Sequence, residues 1–305
     1  MKNSKIFKKF IEKNNLKNII CENQELKNYT TIKIGGQAKF FITPKSIQQL
    51  KLIYKFICKN LILHKILGNG SNLLISDNGF DGIIISLKNL KQKFIIKKKS
   101  LEISANIDAK KMQKNCEENG ISGLEFLSGI PGTIGGMVRM NAGAFGYSIG
   151  DKISEIDILT EKGEIEIIKS ENINFDYRRM KIAKNNFIIL NTKISITKKS
   201  PKEVQKLYEK YFNKRVSKHL LDIKTFGSVF KNGKNYFAGE LIEKCGLKGY
   251  KIGDAEISNF HANFIVNNDK AASNNVFELI QKMKQEVKKK FSVNLQPEVK
   301  FWGKF

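Results

Sequence analysis

Between Gly123 and Gly150 the chain reads GLEFLSGIPGTIGGMVRMNAGAFGYSIG, so glycine recurs every few residues through an otherwise apolar stretch. A residue without a Cβ lets main chain approach another surface closely, and an ordinary connecting loop needs only one or two such residues for its turns. The run Ser128, Gly129, Ile130, Pro131, Gly132, Thr133, Ile134, Gly135 and Gly136, followed by Asn141, Ala142 and Gly143, exceeds that need. This density predicts a large planar or phosphorylated ligand held against main chain.

A second glycine turn, Gly68-Asn69-Gly70-Ser71-Asn72, leads into Leu73. Successive unobstructed N–H groups there could nest a pyrophosphate, although a plain hairpin connection explains the same residues. It is not a Rossmann fingerprint, because the third glycine is missing and Leu73, Leu74 and Ile75 read as a strand rather than a helix. The P-loop pattern G-x-x-x-x-G-K-[ST] does not occur.

Local signals predict the remaining elements. Thr43 and Pro44 announce a helix with Ile47, Leu50, Tyr54 and Ile57 on one face. A hairpin from Phe94 leads to a helix capped by Asp108 and stopped by Gly120, and two β-runs flank the Lys162-Gly163 turn. Ser200, Pro201 and Glu203 spell a capping box that opens a helix with Val204, Leu207, Tyr208 and Tyr211 inward. Short helices and strands fill the last third. The mixture predicts an α+β protein of two or three domains, as 305 residues allow.

The formal charge of +25 raises the possibility of a nucleic-acid partner. Its distribution speaks against one, because lysines are spread along the whole chain and only Arg139, Arg178, Arg179 and Arg215 are arginines. A solvated lysine surface is the reading adopted. No run approaches the roughly 20 apolar residues of a membrane span, and no secretion signal precedes the first element, so a cytoplasmic protein is expected. Cys21, Cys58, Cys116 and Cys245 lack metal or disulfide spacing, and His64, His219 and His261 are far apart, so no metal site is expected.

In order along the chain stand TIKIGGQA (31–38), GNGSNLL (68–74), GLEFLSGIPGTIGG with MNAGA (123–144), YR (177–178), GSVFKN (227–232), AGELIEKCGLKG (238–249), HANFIVN (261–267) and PEV (297–299). The series resembles the UDP-N-acetylenolpyruvoylglucosamine reductase family over about residues 25–303. The resemblance implies an FAD-binding fold of the vanillyl-alcohol oxidase (PCMH) type in two subdomains, 1–88 and 89–200, with a C-terminal α+β substrate domain at 201–297. The tail 298–305 is free to return to the first. It further implies that NADPH supplies hydride to the bound FAD, that the flavin passes it to C3 of the enolpyruvyl group, and that a proton reaches C2, completing UDP-N-acetylmuramate for the cell wall.

Within the resemblance Ser228 stands as proton donor, Arg178 as the planar guanidinium facing the substrate carboxylate, and Glu298 near the reacting carbons as an acid or an orienting group. Gly35, Gly36, Gly68 to Leu73, Ser128, Gly129, Pro131, Gly132, Thr133, Gly135, Gly136, Asn141, Ala142 and Gly143 are the candidate cofactor contacts. Tyr177, Lys231, Asn232, His261 and Lys300 are candidates for the sugar nucleotide. The departures are Arg179-Met180, which many relatives replace by another pair, and Lys300, where several carry arginine. With no insertion between Met180 and Phe187, the chain resembles the shorter family type, without the tyrosine loop. A monomer is expected. The rival readings are another FAD-dependent carbohydrate or alcohol oxidoreductase of the same fold and a basic nucleic-acid-binding protein.

Overall fold

The computed structural model describes residues 2–216 and 223–305, which leaves His219 outside the described residues. By its internal contacts the chain forms two compact units. One comprises Met1–Glu22, Phe40–Gly68 and Gly82–Arg215; the other comprises Asn23–Lys39, Asn69–Asp81 and Val216–Phe305.

The first unit is built on a five-stranded antiparallel sheet in the order Ile165–Lys169, Ile153–Thr160, Phe187–Ser195, Ser100–Ser104, Phe94–Ile96. The strand Phe187–Ser195 is central and covered on both sides: Leu190 and the β-branched Ile188, Ile189, Thr192 and Ile194 are all buried. Helix Ala109–Glu118 begins where Asp108 accepts from the Lys110 N–H at 2.8 Å, and the chain turns out of it at Gly120 with φ +63°. Helix Pro201–Val216 opens with the reciprocal Ser200 and Glu203 bonds that its sequence spells, and it buries Val204 and Tyr208. Helix Lys2–Lys13 adds Phe7, whose ring meets Phe40 edge-on at 5.1 Å.

The next helix differs from its expectation. It spans Ile47–Lys59 and its cap is Ser46, whose hydroxyl accepts from the Gln49 N–H at 3.2 Å. Thr43 instead donates its N–H to the Ile19 carbonyl at 2.9 Å, which keeps the chain extended. Proline disfavours helical geometry in the residue before it, so Thr43 stays on the strand side and the helix starts three residues later. The apolar face is Leu50, Ile53, Tyr54 and Ile57, all buried.

The second unit packs helix Ser273–Phe291 on a three-stranded antiparallel sheet of Lys251–Ile252, Ala255–Ile257 and Ile265–Asn267. Val276, Leu279, Ile280, Met283 and Val287 recur at helical spacing, and all five are buried. Each such side chain contributes about 1.5–3 kcal/mol of transfer free energy. The core also takes in Ile32, Ile34, Leu74, Val229 and Phe230.

The glycine turn at 68–72 does not close a hairpin. The strand before it, His64–Leu67, runs parallel to Ile83–Ser86, whereas the strand after it, Leu73–Ile75, runs parallel to Lys300–Trp302 near the C-terminus. Parallel partners of this kind need long connections, which removes the hairpin explanation for these residues.

Buried Asn263, 3% exposed, carries much of the order in the second unit. Its Oδ1 accepts from the Phe230 N–H at 3.0 Å, and its Nδ2 donates to the Phe230 carbonyl at 2.8 Å. The neighbouring Val229 N–H donates to the Asn263 carbonyl at 2.8 Å, so side chain and main chain together hold the segment 228–230. Asn263→Ala leaves both Phe230 groups without partners, and a destabilisation of about 2–4 kcal/mol is expected. Urea denaturation followed by circular dichroism measures it; a loss under about 0.5 kcal/mol, the scale of ordinary surface changes, contradicts this account.

Candidate functional site

In the first unit, two of the predicted cofactor segments lie side by side. A methyl placed on Gly68 would stand 2.7 Å from Thr133 Oγ1, so Gly68 abuts Thr133 of the SGIPGTIGG run. Thr133 caps the short helix Ile134–Arg139, its Oγ1 accepting from the Gly136 N–H at 3.3 Å. Gly135 sits over the sheet, where a methyl would lie 2.9 Å from Ala105 Cβ, and its N–H donates to the Ala105 carbonyl. Gly136 faces outward, and a methyl there would meet only Thr133 Oγ1, at 3.4 Å. Gly68 and Gly136 thus present side-chain-free surface within one unit, as a flat or dinucleotide ligand requires.

Several other predicted positions are glycine for a different reason. A methyl at Gly36, Gly70 or Gly143 would fall 2.1, 2.0 or 2.3 Å from the carbonyl oxygens of Asp77, Tyr29 and Tyr147. Protein main chain itself is the close neighbour in these places. Ser128 is almost fully buried, its hydroxyl 3.4 Å from Gln113 Oε1 and its carbonyl accepting from Arg215. Ala142 is buried, and its N–H and carbonyl are bonded to Met137 and Ile149.

Tyr177 and Arg178 form the tip of a small hairpin, Asn174–Asp176 paired with Arg179–Lys181. Arg178 has φ +55°, the left-handed region where glycine or asparagine is usual at this place in a turn. An arginine is therefore kept there against a local cost of about 1–2 kcal/mol. Its guanidinium stacks on the Tyr177 ring at 5.0 Å, which orients both side chains.

In the second unit Ser228 and Glu298 lie on adjacent extended segments. The Glu298 N–H donates to the Val229 carbonyl at 2.8 Å, and bridges Ser228 to Phe264 and Phe230 to Pro297 set the register. Both side chains are half-buried. Asn72 clamps the same tail, its Nδ2 donating to the Glu298 carbonyl at 3.2 Å and its carbonyl accepting from the Lys300 N–H at 3.0 Å. Lys231, whose N–H donates to the Gln296 carbonyl at 2.9 Å, stands three residues beyond Ser228. Asn232 uses its Oδ1 to accept from the Ala238 N–H at 3.0 Å, the first N–H of the helix Ala238–Lys244.

His261 is half-buried, with its Nδ1 accepting from the Asn263 N–H at 3.2 Å and its ring 4.8 Å from Phe264. That bond requires an unprotonated Nδ1, and burial pulls the imidazole below its ordinary value, so the neutral ring with Nε2–H is favoured. Among the described residues no group of three or more His, Cys, Asp or Glu is placed to hold a metal ion.

Two residues that the sequence did not single out emerge here. Arg215 donates its Nε–H to the Ser128 carbonyl at 2.7 Å and lies 5.7 Å from the Phe145 ring, yet its buried Nη2 has no partner among the described residues. Burial, with Arg178 adding repulsion, pushes the guanidinium down to about 10. A half-buried cation with a buried, unpartnered N–H group is suited to an anionic ligand. Thr31, whose N–H donates to the Gly70 carbonyl at 3.3 Å, has a buried Oγ1 with no partner among the described residues. Both signals are unpaired polar atoms, which spacing does not reveal.

Known proteins similar to this chain identify its family. Residues 218–302 match the model of the UDP-N-acetylenolpyruvoylglucosamine reductase C-terminal domain, and residues 38–169 match that of an FAD binding domain. The reductase of that name from Clostridium novyi (strain NT) is 34% identical over 300 residues, covering 98% of this chain and 96% of the relative. The one from Listeria welshimeri is 39% identical over 283 residues, 92% of this chain and 94% of the relative. The chain belongs to the UDP-N-acetylenolpyruvoylglucosamine reductase family. A crystal structure of the enzyme from Thermus caldophilus superposes with a TM-score of 0.79 at 29% identity, covering 92% of this chain and 98% of that one. The fold is thus the α+β family fold, an FAD-binding domain joined to the family's C-terminal domain. Near-complete coverage by reductases leaves the nucleic-acid reading without support.

Because Arg178 holds a left-handed position, Arg178→Gly is expected to leave stability within about 1 kcal/mol of the parent or to raise it, despite loss of the Tyr177 stack. Thermal denaturation checks this, and a drop above about 2 kcal/mol shows that the side chain itself holds the hairpin.

Proposed function

We propose that Ser228, Arg178 and Glu298 carry the reducing chemistry of this family member. The chain is an FAD-dependent UDP-N-acetylmuramate dehydrogenase, reducing the enolpyruvyl sugar nucleotide with NADPH for peptidoglycan precursor synthesis. FAD, when bound, takes up two electrons from NADPH and gives them back as hydride. The side-chain-free surfaces at Gly68 and Gly136 fit that group.

Each side chain answers one requirement of the alkene reduction. Hydride addition at C3 leaves negative charge spread over C2 and the carboxylate, and the Arg178 guanidinium can donate to two carboxylate oxygens and stabilise that charge. Ser228 holds the proton bound for C2; a hydroxyl is a weak acid, yet an enolate is basic enough to take its proton. Glu298 orients or recharges the serine. What supports this reading most is the main-chain bond from Glu298 to Val229, which keeps hydroxyl and carboxyl on neighbouring segments. Tyr177, Lys231, Asn232, His261 and Lys300 are proposed to hold the sugar nucleotide. Lysines serve its diphosphate as point charges, and neutral His261 as an Nε2–H donor. Arg215 is proposed to meet an anionic group of that substrate through its unpartnered Nη2.

We further propose flavin contacts by the segment 128–143, a functional division into 1–88, 89–200 and 201–297, and a monomer at work in the cytoplasm beside its nucleotide substrates. No helix among the described residues is long and apolar enough to cross a membrane.

The purified protein is expected to be yellow and to bleach with NADPH in the absence of oxygen. Ser228→Ala is expected to keep that bleaching at the parental rate while slowing re-oxidation by the enolpyruvyl nucleotide about 10²–10⁴-fold. Stopped-flow absorbance resolves the two halves, and equal loss in both refutes the proton-donor role. Arg215→Met is expected to retain flavin and to bind the enolpyruvyl nucleotide about 10–100-fold more weakly. Unchanged affinity in a flavin-absorbance titration removes Arg215 from the site.

A further inference from the structure

Arg178 sits on a support that is weak by itself. Its hairpin has three residue pairs, Asn174 with Lys181, Phe175 with Met180 and Asp176 with Arg179, and it joins no larger sheet among the described strands. A two-stranded ribbon of that size has marginal stability in water. Something else must fix its tip.

Asn141 supplies the anchor. It follows the helix Ile134–Arg139 with φ +42°, a conformation that asparagine tolerates better than most residues, and it is only 6% exposed. Its Oδ1 accepts from the Gly150 N–H at 2.9 Å, and its Nδ2 donates to the Asp176 carbonyl at 3.0 Å. One partner is a donor and the other an acceptor, so the amide fits in only one orientation. Asp176 in turn accepts from the Tyr177 N–H with its own Oδ1 at 2.7 Å. Phe175 adds an apolar contact, since a methyl on Gly150 would fall 2.5 Å from its ring. Asn141 also belongs to the MNAGA end of the glycine-rich segment. One side chain therefore ties that segment to the base of the Arg178 turn.

We infer that Asn141 is a positioning residue for the reduction: through the Asp176 carbonyl it sets Arg178 relative to the glycine-rich segment. The inference rests on the carboxylate-binding role proposed for Arg178. Misplacement of a charged group by about 1 Å costs on the order of 10²-fold in rate, so the tether acts on the chemical step rather than on folding alone.

The test is a double-mutant cycle on the FAD-loaded enzyme, with both half-reactions followed by anaerobic stopped-flow. Asn141→Asp keeps the acceptor for Gly150 but turns an oxygen toward the Asp176 carbonyl. The expected result, on protein saturated with FAD, is re-oxidation by the enolpyruvyl nucleotide slowed about 10–100-fold more than reduction by NADPH. The slowing should ease at acid pH, where the introduced carboxyl protonates and donates to Asp176 again. Added to Arg178→Ala, the same change should slow re-oxidation no further. Multiplying effects in the double variant, or equal slowing of both halves, overturn the positioning role while leaving Arg178 in place. Normal re-oxidation of Arg178→Ala alone overturns the Arg178 reading, and the inference with it. If Asn141→Asp fails to hold flavin, Asn141→Ser, which no longer reaches Asp176, carries the same cycle to the same outcomes.

Discussion

Main chain packed against main chain is the constraint from which both units are built. Where Gly70 meets the Tyr29 carbonyl, or Gly135 meets Ala105, a single methyl would require a shift of the backbone itself. These approaches bring the glycine-bearing turns of the sequence into fixed positions, and main chain offers no rotamer through which to relieve a clash. The strand Leu73–Ile75 can then pair with Lys300–Trp302, and that pairing brings Glu298 within reach of Val229 and so beside Ser228. The candidate donor and the candidate carboxyl are neighbours because residues more than sixty positions apart share one short ladder.

Asparagine amides complete what the ladders do not reach. Asn263 mimics a strand edge for Phe230, Asn72 fastens the C-terminal tail, and Asn267 joins the Ile32 carbonyl to the Ala271 N–H. Asn141 does the same for the arginine hairpin. Each offers a donor and an acceptor on one rigid plane, which suits a buried junction of two irregular segments better than a hydroxyl or a charge. Such junctions specify geometry, and the chemistry proposed here depends on geometry at Arg178 and Ser228.

What the sequence discloses follows the range of the interaction. The Asp108 cap, the Ser200 capping box, Gly120 and the Lys162-Gly163 turn were legible because each is decided within four residues. Thr43 was misjudged as a cap because a competing bond to Ile19 comes from outside that window. The turn at 68–72 kept its hairpin alternative for the same reason, since its flanking strands take partners from elsewhere. Glycine density correctly marked a place of close approach, but it could not distinguish a ligand from protein; at Gly36, Gly70 and Gly143 the neighbour is protein. Arg215, one arginine in a lysine-rich helix, gave no pattern at all.

Charge shows the same contrast between count and place. The excess of lysine sets a net charge of +25, but most of it lies on exposed side chains where water and salt screen it. Arg178 and Arg215 matter more than their number, because Arg215 is half-buried, lies close enough to Arg178 to feel its charge, and has a buried Nη2 with no partner among the described residues. Desolvation of the Arg215 guanidinium is costly, and an incoming anion lowers that cost. In the proposed site a ligand with a carboxylate or phosphate would supply that anion. An enolate, with more negative charge than the ground-state substrate, gains most from such an arrangement, which is what a reduction catalyst requires.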